Sequence, residues 1–318
     1  MNGDMEPTVS MQPSAKCGDV LVITTCSAGK RVRGTATAER LAISSQPLVA
    51  EEWTSLLRRE TDLVPARNLY CGRAFGLVRS AAERKGANFA ILSAGLGFVR
   101  GESSVPSYDL TIRPGKLGSV TDRITGDFCA RRWWRAVQQG PFASDLASTA
   151  YQHSLILVAL SKAYLELVVD DLLEIESRWP GRLRLFGLSL DRHLPTDLTA
   201  SFMPYDARLE MVGRAGTRTD FAARALDDFM RYADLSANAR EQADMVTRRL
   251  AAAVVPRARL PQRRADDASI QAALRTVIGS SVHSSAKALA WLRNERGLSC
   301  EQKRFADLYR QVILEGTT

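Results

Sequence analysis

The sequence predicts an α/β fold, a mostly parallel sheet flanked by helices, followed by a C-terminal all-helical module with a winged-helix-like pattern. Three observations predict it. Short apolar runs rich in β-branched residues recur at 19–25, 89–93, 154–160 and 183–188, and amphipathic stretches with helical spacing lie between them. The first two runs close on small residues, as buried strands do where they open into a loop. From residue 219 onward the alternation gives way to helical patterns alone.

Taken in order, residues 1–16 carry Met, Pro, Ser and Gly without periodicity and read as a disordered arm. An α/β core domain is expected over 17–215. Within it, 19–25 is the first buried strand, 51–59 and 74–85 are helices, and 89–93 is the second strand; strand, helix, strand implies parallel pairing. The cadence repeats with a helix over 127–139, a strand over 154–160, a strongly apolar helix over 163–178 and a strand over 183–188. A helical extension over 216–254 contains helices at 220–232 and 237–253. A basic linker over 255–266 gathers Arg257, Arg259, Arg263 and Arg264. The module over 267–318 shows three short helical patterns, the second at 284–293 and the third from Cys300. That is the make-up of a helix-turn-helix or winged-helix module, or of a plain three-helix cap over the sheet.

With 318 residues, 45% of them hydrophobic, the chain has length for two domains. Five scattered cysteines without a CxxC pair, and only three histidines, speak against a disulfide framework or a zinc site, and neither a metal nor a cofactor is expected. No run nears the roughly 18 apolar residues of a membrane span, so a cytoplasmic protein without a membrane partner is expected. The formal charge of +8 favours a polyanionic partner such as nucleic acid; of the two carriers, DNA is expected ahead of RNA.

Chemistry is expected first in Cys26-Ser27-Ala28-Gly29-Lys30. A thiol, a hydroxyl, a flexible residue and an amine gather there at a strand end, where open α/β sheets place ligands. Lys30, followed by Arg31 and Arg33, either pairs with phosphate or has its pKa lowered for nucleophilic use. The spacing is not that of a Walker loop, and a Ser/Gly turn followed by solvated cations is the bland alternative. The second segment runs from Ser93 through Gly95 and Gly97 to Tyr108 and Asp109. Its glycines permit close approach of a ligand, Tyr108 would stack on a planar base, and Asp109 would accept from ring N–H groups. Alternatively Tyr108 packs in the core and Asp109 caps a backbone amide. Arg67 and Tyr70 would join the same cleft. Arg131, Arg132 and Arg135, interleaved with Trp133 and Trp134, would track phosphates and stack bases; adjacent helical Trp residues cannot both face outward, so at least one belongs to the core. Lys162 is read as a helix-start cation and His193 as a surface or structural histidine.

The ordered set Cys26-Ser27-x-x-Lys30, Ala66-Arg67-Asn68-Leu69-Tyr70, Ile91-Leu92-Ser93-Ala94-Gly95-Leu96-Gly97-Phe98-Val99 and Pro106-Ser107-Tyr108-Asp109 resembles the YaaA-like and archaeosine-synthase-like group over about residues 19–112. The resemblance implies chemistry on, or binding to, nucleic acid, including modification of deazaguanine bases by addition of a side-chain nucleophile to a nitrile. By that analogy Lys30 is the nucleophile or its activator, with Cys26 the nearest alternative. Arg31-Val32 stands where a Pro-aromatic pair follows the lysine in archaeosine synthases. The expectation is therefore an enzyme modifying a deazaguanine-type base. The alternatives are a non-catalytic DNA-binding stress or defence protein and a base-excising glycosylase that uses Asp109.

Overall fold

Val20, Leu21, Val22, Ile23 and Thr24 are all buried, a pattern that a strand shows only where both faces of its sheet are covered. The computed structural model describes residues 19–213, 215–253, 263–277 and 284–315. Up to Ala253 the chain forms one compact unit. It runs β1 (Val20–Thr25), β2 (Ala36–Thr37), α1 (Gln46–Arg58), β3 (Leu63–Pro65), α2 (Ala66–Leu69), α3 (Arg73–Arg84), β4 (Asn88–Ser93), β5 (Gly97–Arg100), β6 (Ser104–Pro106) and β7 (Tyr108–Asp109). It continues through α4 (Ala130–Gln138), α5 (Leu146–Tyr151), β8 (Leu155–Ala159), α6 (Lys162–Arg178), β9 (Leu183–Phe186), α7 (Leu209–Val212), α8 (Phe221–Tyr232) and α9 (Ala239–Ala251).

The main sheet has five strands in the order β5-β4-β1-β8-β9. β1 lies at its centre, parallel to β4 with Ile23 opposite Ala90 and parallel to β8 with Ile23 opposite Val158. β8 and β9 are parallel, and the edge strand β5 returns antiparallel beside β4 with Ser93 opposite Gly97. This mostly parallel α/β architecture is the one the sequence predicts. The segment 94–100, expected as loop, instead makes a tight turn at Gly97 (φ 81°) into the edge strand. Two small pairs lie outside the sheet: β2 beside β7, with Ala36 opposite Tyr108, and β3 antiparallel to β6.

The helices expected as an extension, α8 and α9, pack into the same apolar core as the sheet through Phe221, Leu226, Phe229 and Leu250. The buried acids of α8 are held in ion pairs. Asp227 holds Arg84 and Arg231, while Asp228 accepts from Arg249 Nε and Nη2 at 2.8 Å each and from the Tyr205 hydroxyl at 3.0 Å. A buried ion stripped of such a partner is strongly destabilising, so these pairs fix α8 against α3, α9 and the 204–208 loop.

The C-terminal unit has its own core, built on Ile270, Leu274, Leu292, Phe305 and Val312. Its helices are α10 (Asp267–Val277), α11 (Ser285–Glu295) and α12 (Gln302–Glu315). A two-residue strand, β10 (Arg263–Arg264), pairs in parallel with β11 (Leu298–Ser299). Part of the expected linker is thus extended and paired, and the expected all-helical module gains one small strand pair, because Gly297 (φ 61°) turns the chain after α11. Arg257 and Arg259, and the arm over 1–16, lie outside the described residues. Among the described residues no helix is long and apolar enough to cross a membrane.

Candidate functional site

β1 does not stop cleanly at Thr25. The Cys26 N–H still bonds the Leu92 carbonyl at 2.8 Å, which fixes the thiol at the carboxyl edge of the sheet. The chain then turns: the Ser27 hydroxyl donates to the Gly29 carbonyl at 2.7 Å and bonds the Cys71 carbonyl. A Cβ on Gly29 would lie 2.9 Å from Cys71 Sγ, so the turn needs glycine for closeness rather than for left-handed backbone. Lys30 pairs antiparallel with Tyr70, flanked by Cys71 N–H to Gly29 O at 3.0 Å and Arg31 N–H to Leu69 O at 2.9 Å. The segments around Lys30 and Tyr70, forty residues apart in sequence, therefore form one wall.

Behind that wall lies a chain of buried hydroxyls. Ser93, at the end of β4, is fully buried; its Oγ lies 2.6 Å from the Tyr108 hydroxyl and 3.4 Å from that of Tyr70, and it accepts the Leu96 N–H at 3.0 Å. The Tyr70 and Tyr108 hydroxyls are 3.1 Å apart. The Tyr108 hydroxyl also donates to Cys26 Sγ at 3.6 Å, and Tyr164 Oη reaches the same sulfur at 3.0 Å. Burial pushes all three phenols well above their ordinary pKa values, so they stay protonated at neutral pH. The loop after Ser93 is held by two indoles: Trp53 Nε1 donates to Gly95 O at 2.7 Å and Trp133 Nε1 to Ala94 O at 2.8 Å.

The Lys30 ammonium sits 4.2 Å from the centre of the Tyr108 ring and 5.8 Å from that of Tyr70. Burial lowers its pKa below the ordinary lysine value, against the smaller opposing influence of Cys26, Asp109 and Cys71. Among the described residues no carboxylate lies within ion-pair distance of it. An amine in this setting keeps more of its neutral, nucleophilic form than a solvated lysine does.

The other expected site residues divide. Cys26, Ser27, Gly29, Lys30, Tyr70, Ser93, Gly95 and Tyr108 come together. Tyr108 cannot be the stacking platform, because it is buried with Lys30 over its face and Trp53 packed edge-on at 5.9 Å. Gly95 faces protein rather than ligand: a Cβ there would meet the Tyr108 ring at 2.7 Å. Gly97 likewise closes on the Gln138 and Ala143 side chains. Asp109 is exposed and lies against Gly118, close enough to Lys30 to influence its charge. Arg67 is drawn away into ion pairs with Glu83 and Glu102.

Arg31, Arg33 and Arg132 are exposed, but Arg131 and Arg135 both pair with Asp170, at 3.4 and 2.9 Å. Trp133 and Trp134 are both core residues, 0% and 3% exposed, and Trp134 bonds the buried-side carboxylate of Asp171. That cluster therefore offers no aromatic platform for bases: α4 packs against α1 on one side and α6 on the other, so neighbouring Trp residues about 100° apart both find cover. Lys162 pairs with Glu166 at 3.8 Å, and His193 is exposed.

Sequence reasoning missed Tyr164 and Cys71. Tyr164 lies 138 residues from its sulfur partner, and only its place just past the β8 strand end, beside Ser161-Lys162, hinted at it. Comparison with protein-family models, curated proteins and solved structures gives no match for this chain.

Proposed function

We propose that this chain is an enzyme that modifies a deazaguanine-type nucleobase carried in nucleic acid, with Lys30 adding to an electrophilic carbon such as that of a nitrile. The observation that carries the reading is the half-buried Lys30 amine, lowered in pKa by burial and without a carboxylate partner among the described residues, beside a sulfur and a row of protonated phenols. In the step, the amine nitrogen forms a bond to the nitrile carbon, one C–N π bond breaks, and the nitrile nitrogen takes up the proton that the attacking nitrogen sheds, leaving an amidine that joins Lys30 to the base; water adding to the same carbon then expels the Lys30 amine, which takes up a proton of that water, and releases a carboxamide base. Attack by Cys26 instead would leave a thioimidate, with Tyr164 and Tyr108 as its hydrogen-bonding neighbours. The nucleic-acid carrier is supported by the charge of +8 and by Arg31 and Arg33 exposed next to the amine, and DNA is proposed ahead of RNA. The free thiols of Cys26, Cys71, Cys129 and Cys300 suit the reducing cytoplasm.

The test combines the purified protein with cyano-deazaguanine bases and with nucleic acid containing them, followed by mass spectrometry of the intact protein and of the released nucleosides. Lys30→Ala is expected to abolish product and adduct, and Cys26→Ala to reduce them. Unchanged product in both variants sinks the mechanism.

A further inference from the structure

At the opposite edge of the sheet, where β8 and β9 begin, lies a cavity of about 770 Å³. This is within the range of small-molecule sites, roughly 300–1,000 Å³. It is separate from the Lys30 loop, which follows the carboxyl end of β1, because β1, β8 and β9 run parallel. One part of its wall is apolar: Leu155, Phe202, Pro204 and Leu235. The charged residues in the wall are Arg184 and Arg240, and among the described residues no Asp or Glu lines it.

Arg184 is 2% exposed, a depth at which a guanidinium normally faces a carboxylate. Its donors go instead to neutral acceptors: Nε to Gln242, Nη1 to the Gly181 and Leu183 carbonyls at 2.7 Å each, and Nη2 to Ala237 O at a long 3.5 Å. Among the described residues no acid is within ion-pair distance of it. Glu176, the acid that influences it, is engaged with the Gly181 N–H at 2.8 Å and the Ser201 hydroxyl at 3.0 Å. Burial lowers the Arg184 pKa to about 10, which leaves it cationic at neutral pH. A second positive contribution comes from the amino end of α9, whose first residues, Ala239 and Arg240, line the same cavity; the Glu241 N–H is capped by Asn238 Oδ1 at 3.0 Å, and the Ala239 and Arg240 N–H groups have no helical acceptor. The acids nearest in sequence are already bonded, Glu241 to the Asn238 N–H and Asp234 to the Ser236 N–H and hydroxyl.

A buried guanidinium bonded only to neutral groups, with Glu176 acting on it from beyond ion-pair distance, a second arginine and a helix amino end line one partly apolar cavity, and such a wall suits an anion attached to an apolar body. We propose that this cavity binds a small organic phosphate, its phosphate taken by Arg184 Nη2, Arg240 and the Ala239 and Arg240 amides of α9, and its ring or chain lying against Leu155, Phe202 and Leu235. Two formal positive charges and a helix dipole suit a phosphate dianion better than a carboxylate monoanion.

Isothermal titration of the full chain with phenyl phosphate, benzoate and phenol distinguishes the possibilities. Phenyl phosphate is expected to saturate a single site, with benzoate at least about tenfold weaker and phenol inert, since charge-assisted contacts provide most of the recognition. Arg184→Gln is expected to weaken phenyl phosphate binding by about tenfold or more. Because a buried substitution can disturb folding, Ala243→Phe, which places a ring in the cavity from its half-buried α9 wall and leaves both arginines in the sequence, provides the second variant and is expected to abolish binding. Failure of phenyl phosphate to bind, equal binding of benzoate, or undiminished binding by folded Ala243→Phe protein overturns the proposal. None of these results depends on the chemistry at Lys30.

Discussion

At the scale of single residues, Lys30 is the group whose charge the surrounding protein sets. Removing its ammonium from water disfavours the protonated form, so the native state releases this proton at a lower pH than the unfolded chain does. Between the lowered native value and the ordinary lysine value the unfolded chain holds more protons, and by linkage stability rises with pH across that window. The stability of the wild type relative to Lys30→Met should therefore climb as pH rises through it. Thermal denaturation over a pH series checks this, and a difference that stays flat removes the desolvated ammonium. The same titration should govern the proposed addition, giving a rate that increases with pH along a limb below that of a solvated lysine. The type and spacing of Cys26, Lys30, Ser93 and Tyr108 were legible in the sequence. Their roles were less so, because the face of Tyr108 that sequence reasoning offers to a base is covered by Lys30 itself.

At the scale of elements, the loop after β4 owes its shape to what presses on it. Gly95 lies against two buried rings, with a Cβ position 2.7 Å from Tyr108 and 3.2 Å from Trp53, and neither ring has room to withdraw. Gly95→Ala is expected to lower unfolding free energy by about 1–3 kcal/mol through overpacking and to shift Tyr108 away from Ser93. Gly76 is the contrast: it lies inside α3 with nothing within 4 Å of its Cβ position. Gly76→Ala should stabilise by about 0.5–1 kcal/mol, because it removes only unfolded-state freedom. Urea denaturation of both variants checks the pair of opposite signs. The parallel strands were readable because burial on both faces imposes continuous apolar runs, as in Leu155–Ala159. β5 was not, since its turn glycine and four-residue length resemble a loop, and β2, β3, β6 and β7 are too short to show any period. The double burial of Trp133 and Trp134 depends on α4 having neighbours on two sides, which no local pattern encodes.

At the scale of the whole molecule, charge is distributed unevenly between paired and free groups. Arg131 and Arg135 share the single carboxylate of Asp170, and Arg84, Arg224, Arg231 and Arg249 are used in ion pairs within the fold. The cations left near the Lys30 loop are Arg31 and Arg33, exposed and without ion pairs among the described residues. If nucleic acid is the carrier of the substrate base, its binding should fall steeply with salt. Replacing both arginines with alanine should lower the slope of log affinity against log salt by about 2, roughly one for each phosphate no longer neutralised. Electrophoretic titration over a salt series measures this, and an unchanged slope removes these two residues from the interface.

The central position of β1 has a consequence for how this protein is made. The strand that every neighbour builds on is also the first of the sheet to be synthesised, and its partner β8 is not complete until Ala159. At translation rates of roughly 5–20 residues per second, Val20–Thr25 waits on the order of ten seconds as an apolar segment lacking that partner outside the ribosome. Chaperone capture of nascent chains, and slow translation downstream of β1, should therefore influence the yield of folded protein more than changes to strands that emerge beside a waiting partner.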